Sequence, residues 1–198
     1  MKLELTIGLP GWILQDGNYD DFVVGTNRRF AIEFYAEKEL NVQQSASRLE
    51  RIEDSEYRGT GIIRFTSPEC WIVDWGGILA YREDEPPQSF ACGNTVGGQV
   101  YLGVDPFFYL EELHSVKGIP PLIYEWQIVE ILKDLTPFIH ANHPRVGPVL
   151  VRDRSRRQFL SVMTTKPTTE ERGYMDFLLR CTLCATPPSH RFNGVIWT

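Results

Sequence analysis

The sequence predicts an all-β, mainly antiparallel protein. Short runs of alternating apolar and polar residues dominate the chain. Turn-forming clusters of Gly, Pro, Asn and Asp separate them at intervals of roughly 5–15 residues. Only one stretch reads as a short helix. This pattern suits an OB-like Greek-key barrel or a sandwich, with extra C-terminal strands and at most one or two short helices.

The clearest strand is Arg28 to Tyr35. Phe30, Ile32 and Phe34 share one face, while Arg29, Glu33 and Tyr35 take the other. Asp16-Gly17-Asn18 is a turn before it. Gln44 to Ile52 is the plausible helix, though it has little apolar surface. Tyr57 to Phe65 returns to strand character and ends at Ser67-Pro68. Cys70 to Tyr81 reads as a buried strand pair, or one strand broken at Gly76-Gly77. Glu83 to Gln88 is an acidic loop. Gly93-Asn94 and Gly97-Gly98 bracket a turn, and Val100 to Val104 is a strand.

Further on, Pro106 to Leu113 reads as strand or helical turn. Leu122 to Leu132 is rich in β-branched and aromatic residues and is expected as a strand, although its apolar positions also fit a helix. His140 to Pro148 looks like a loop. Gln158 to Thr164 and Tyr174 to Thr186 are strands, the last closed by Pro187-Pro188. No repeat appears. One domain over residues 1–198 is expected, with 141–150 the best place for any subdivision.

Composition narrows the function classes. The chain has 198 residues, with 42% hydrophobic, 23% charged and 12% aromatic. That is enough apolar material for a core. No run approaches the ~20 apolar residues that span a bilayer, and Met1 to Gly11 lacks the shape of a signal peptide. A soluble, cytoplasmic protein with no membrane partner is expected, its four cysteines reduced. Charge is uneven: residues 1–140 hold 11 basic and 22 acidic side chains, and residues 141–198 hold 9 and 4.

Several constellations could carry chemistry. His140 and His143 with Cys181 and Cys184 form the weak candidate for zinc, since two imidazoles and two thiolates suit a tetrahedral site. However, cysteines three apart on a strand point to opposite faces. Asp74, inside an apolar run, is the weak candidate for a general acid or base. The plainer reading has it accepting hydrogen bonds from the Gly76-Gly77 turn. Gly93 to Gly98 lacks the Lys-Ser/Thr and helix of a phosphate loop and reads as a hairpin turn. No Gly-x-Ser-x-Gly elbow is present, and no cofactor is expected.

Two segments are candidates for binding. Arg152, Arg154, Arg156 and Arg157 form the densest basic run, and Arg145, Lys166, Arg172, Arg180 and Arg191 could extend it. Phe159, Tyr174 and Phe177 offer stacking surfaces. The plainer reading pairs these arginines with the acidic first part of the chain. Phe107, Phe108 and Tyr109 with Glu111 and Glu112 form an aromatic-acidic segment suited to docking. The sequence is most consistent with a non-catalytic protein-binding module, of inhibitor, immunity or assembly-subunit type, that recognises a basic partner. The alternatives are an OB-type nucleic-acid binder using the 152–157 arginines and a small hydrolase-like enzyme with a pocket near Asp74.

Overall fold

The computed structural model describes residues 2–143, 147–167 and 175–191. Its strands are β1 (Glu4–Leu9), β2 (Asn27–Phe30), β3 (Ile32–Tyr35), β4 (Asn41–Val42), β5 (Arg48–Glu53), β6 (Glu56–Thr66) and β7 (Trp71–Asp74). There follow β8 (Leu79–Arg82), β9 (Thr95–Val104), β10 (Tyr124–Asp134), β11 (Phe138–His143), β12 (Gly147–Arg152), β13 (Phe159–Val162) and β14 (Phe177–Leu183). Two short helices, α1 (Gly11–Gln15) and α2 (Phe108–Glu111), interrupt them. The all-β expectation holds.

The centre is a closed five-stranded barrel in the order β9-β3-β8-β7-β6, returning from β6 to β9. Its neighbours run antiparallel except β3 and β8, which meet in parallel at Glu33 and Tyr81. A wing continues the sheet outward from β9 through β1, β14 and β10 to β2 and β13. The barrel interior is aromatic. Phe34 meets Trp71 and Trp75 edge-to-face at 5.0 and 5.4 Å, and Phe90 closes on Trp71. Glycine makes that packing possible: a Cβ on Gly61 would lie 2.5 Å from Val73 Cγ1 and 2.7 Å from the Asp74 carbonyl. The wing has its own aromatic cluster, Phe22 edge-to-face on Phe30 and Phe30 stacked on Trp126.

Several expectations need correction. The stretch 28–35 is two strands, because the chain crosses from the wing, where β2 pairs with β10, into the barrel, where β3 pairs with β9. Both of its faces are covered: Ala31 is fully buried, and Glu33 is nearly so. The segment expected as a helix near 44–52 contains β5, whose register against β6 supplies the backbone bonds that its poor apolar pattern could not secure in a helix. Gly97 and Gly98 lie within β9 rather than in a turn, packed against Gln43 and Leu40. The 106–113 segment resolves as α2, entered through Phe107 at φ 80°. The expected loop 140–148 overlaps β11 and β12, which pair antiparallel as a separate two-stranded ribbon.

Candidate protein-interaction surface

The β11–β12 ribbon is the most unusual surface of the fold. An antiparallel pair alone is marginal in water, because it has no sheet or helix to bury its apolar side chains. Here Phe138 and Leu150 on one face are 53% and 61% exposed, and Ile139 and Val151 on the other are also exposed. Of the twelve large hydrophobic side chains exposed among the described residues, seven fall between Leu135 and Met163. Scattered exposed leucines need no explanation, but concentration in one segment does.

The ribbon is anchored at its base by Arg152. Its guanidinium donates to the Thr136 carbonyl at 2.6 Å and to Asp176 Oδ2 at 3.0 Å, and its Nε lies 3.5 Å from Asp134 Oδ2. The same group stacks 4.0 Å over the Phe138 ring. Asp176 in turn accepts from the Gly11 N–H at 3.1 Å, which ties the ribbon to the start of α1.

Below the ribbon lies a cleft of about 260 Å³ in which Arg152, Arg154, Arg157, Tyr101, Glu56 and Asp134 converge. The sequence run of arginines therefore does gather three of its members. Each already faces a carboxylate. Arg157 bonds Glu53 and lies 3.5 Å from Asp54. Arg154 sits 3.6 Å from Glu37 and 3.7 Å from Glu56 and donates to the Tyr101 hydroxyl. The Glu53 carboxyl is held below its ordinary value, first by its hydrogen bond from Arg157. Arg156 is exposed. Arg145, Arg172 and Tyr174 lie outside the described residues. Phe159 and Phe177 line the cleft.

The aromatic-acidic segment does not form the expected docking surface. Tyr109 is fully buried, its hydroxyl donating to the Pro120 carbonyl at 3.0 Å, and Phe107 is 8% exposed. Phe108 is half-buried, while Glu111 and Glu112 remain near the surface. The reason is Asp105, which accepts from the Tyr109 N–H and draws α2 down over β8. What survives is acidic: burial and the nearby Glu112 carboxylate together raise Glu83.

Asp74 serves the turn. It accepts from the N–H groups of Gly76 and Gly77 at 3.1 and 2.8 Å and pairs with Arg64 at 2.8 Å. Burial works to raise its carboxyl. The Gly77 amide, Arg64 and the Gly76 amide outweigh that and hold it below the usual carboxylate range, which is the wrong direction for a general acid at neutral pH. The zinc candidates lie apart. His140 and His143 are on β11, in the ribbon's own sheet, while Cys181 is buried in β14 and Cys184 follows that strand. Burial alone pushes the Cys181 thiol up, against the thiolate a metal needs. Among the described residues, no three His, Cys, Asp or Glu side chains gather as a metal site would require.

A buried acidic network was not legible in the sequence. At the parallel seam of the barrel, Tyr81 donates to Asp105 Oδ1 at 2.5 Å, and Tyr35 donates to Glu33. Burial is the main reason both carboxyls rise. Glu33 reaches about 7 despite the Tyr35 hydrogen bond, with the Asp105 charge adding to the rise. Asp105 reaches about 6, opposed by Tyr81 and the amides of Tyr109, Phe107 and Phe108. The network pins α2 and the barrel seam together, and none of Glu33, Tyr35, Tyr81 and Asp105 lines the arginine cleft. Among the described residues, no helix is long and apolar enough to cross a membrane. Comparison of the chain with protein-family models, curated proteins and solved structures finds no match.

Proposed function

We propose that this chain is a non-catalytic protein-binding module of the assembly-subunit kind, and that the β11–β12 ribbon is its docking surface. The observation that carries this reading is the ribbon's exposed apolar surface on both faces, combined with a rigid base at Arg152. A partner strand or apolar face laid on the ribbon would remove that surface from water at roughly 25 cal/mol per Å². Glu83 and Glu112, which follow β8 and α2 and not the ribbon, are exposed acids that would speed encounter with basic side chains on a partner. A nucleic-acid role draws less support, because Arg152, Arg154 and Arg157 are each matched to carboxylates.

The test compares wild type with the double variant Phe138→Ser/Leu150→Ser and with Glu83→Gln/Glu112→Gln. All three are used as bait in lysate with nuclease, and bound proteins are quantified. The reading expects one defined protein, this chain itself included, to be lost from the ribbon variant and only weakened in the Glu83/Glu112 variant. Equal recovery by wild type and the ribbon variant would contradict it.

A further inference from the structure

The phase of hydrogen bonding within the ribbon identifies which edge is open. The Asp153 N–H donates to the Pro137 carbonyl at 2.8 Å. Bonded pairs alternate with unbonded ones in an antiparallel ladder. From that phase, Ile139 with Val151 and Ala141 with Val149 are the bonded pairs. The backbone N–H and C=O of Phe138, His140 and Asn142 therefore point away from β12, and no other described backbone group pairs with them. The opposite edge is blunted. Pro148, paired with Asn142, occupies an outward position on β12 and has no N–H to offer. β11 has neither of the usual protections, a proline or a lysine.

We infer that this edge pairs with the same edge of a second copy of the chain, β11 against β11 antiparallel, giving a four-stranded sheet across a two-fold axis. The inference rests on the reading of the ribbon as the docking surface and names its occupant. Two features fit a second copy. First, the outward groups are self-complementary. With His140 on the axis, Phe138 of one copy faces Asn142 of the other, and all three outward residues find ladder partners, as an isologous contact requires. Second, charge leaves this route open. The chain carries a formal charge of −6, so two copies repel across most surfaces, yet neither β11 nor β12 contains Asp or Glu. β11 also has no Lys or Arg. The cation of the ribbon, Arg152, is matched to Asp134 and Asp176 at the base.

The experiment is sedimentation velocity of the full chain over a hundredfold concentration range. Wild type is expected to shift from a 22.8 kDa monomer to a species of twice that mass. His140→Pro removes an outward N–H while leaving the bonds to β12 in place, and is expected to weaken dimerisation at least tenfold. Because a proline could also disturb the ribbon, a charge pair supplies the second arm. His140→Glu and His140→Lys should each be monomeric, since like charges lie directly opposite across the axis, and a one-to-one mixture should recover the dimer. A wild type that stays monomeric throughout overturns the inference. So does a dimer indifferent to His140→Pro, or a mixture that fails to reassociate. A monomeric wild type whose Phe138→Ser/Leu150→Ser variant still loses a different protein would overturn self-pairing alone and leave the docking reading standing.

Discussion

Raising the pH from 5 to 8 should destabilise this protein, with Glu33 as the main cause. Its carboxyl rises from 4.5 to about 7 in the folded chain, chiefly through burial. A carboxyl whose folded pKa exceeds its unfolded value favours folding most when both states are protonated. That contribution is full below about pH 4.5 and is lost as pH rises through 7. At 1.36 kcal/mol per unit, the whole span amounts to roughly 3 kcal/mol, of which roughly 2–3 kcal/mol falls between pH 5 and 8. In urea this is a drop in midpoint of about 1 M. Glu33→Gln keeps the acceptor for Tyr35 and removes the titration, so its midpoint should change much less over the same range. A smaller loss should persist in the variant, because Asp105 shifts in the same direction. A wild-type midpoint that is flat or rising from pH 5 to 8 would refute the reasoning, as would a Gln variant that loses as much as wild type.

Three further outcomes follow from the packing. Gly61→Ala should cost about 1–3 kcal/mol in urea unfolding, because its Cβ meets Val73, the Asp74 backbone and Trp75 with no room to yield. Tyr81→Phe should cost about 1–3 kcal/mol by removing a hydroxyl donor to the buried Asp105, with thermal melts at pH 5 and 8 as the check. Arg152→Ala should raise amide exchange in β11 and β12 about tenfold or more while leaving the barrel strands unchanged, since it removes charge-assisted bonds and the stack on Phe138.

Much of the fold was legible because strand alternation is a local signal. β6, β10 and β14 fall where Tyr57–Phe65, Leu122–Leu132 and Tyr174–Thr186 place them, and the Gly76-Gly77 break separates β7 from β8. The misses have physical causes. β5 has few apolar residues and is held by its hairpin register against β6, through a two-residue turn at Asp54 and Ser55 that carries no glycine to announce it, although Asp54 takes φ 41°. The ribbon was hidden by Pro144, Gly147 and Pro148, which read as loop. Pro148 is tolerated on an edge because its missing N–H faces outward. Site residues fared unevenly. The 152–157 arginines do converge on a cleft, and their pairing with Glu53, Glu56 and Asp134 is the plainer of the two readings the sequence allowed. Phe107 and Tyr109 go inward because Asp105 anchors α2, and nothing near Asp105 in sequence signals a buried acid. The ribbon's apolar residues fall in two brief runs, Phe138-Ile139 and Val149-Leu150-Val151, too short and without the alternation that would have marked a strand pair.

Hydrogen exchange along the chain tests the central claim most directly. The protein would be exchanged as a dilute monomer and again in its assembled state, whether with a second copy or with a captured partner. The largest gain in protection is expected at Phe138, His140 and Asn142, with β12 following. Protection that instead rises at the Glu83 and Glu112 loops or over the arginine cleft, with the ribbon unchanged, would contradict the assignment of the β11–β12 ribbon as the docking surface.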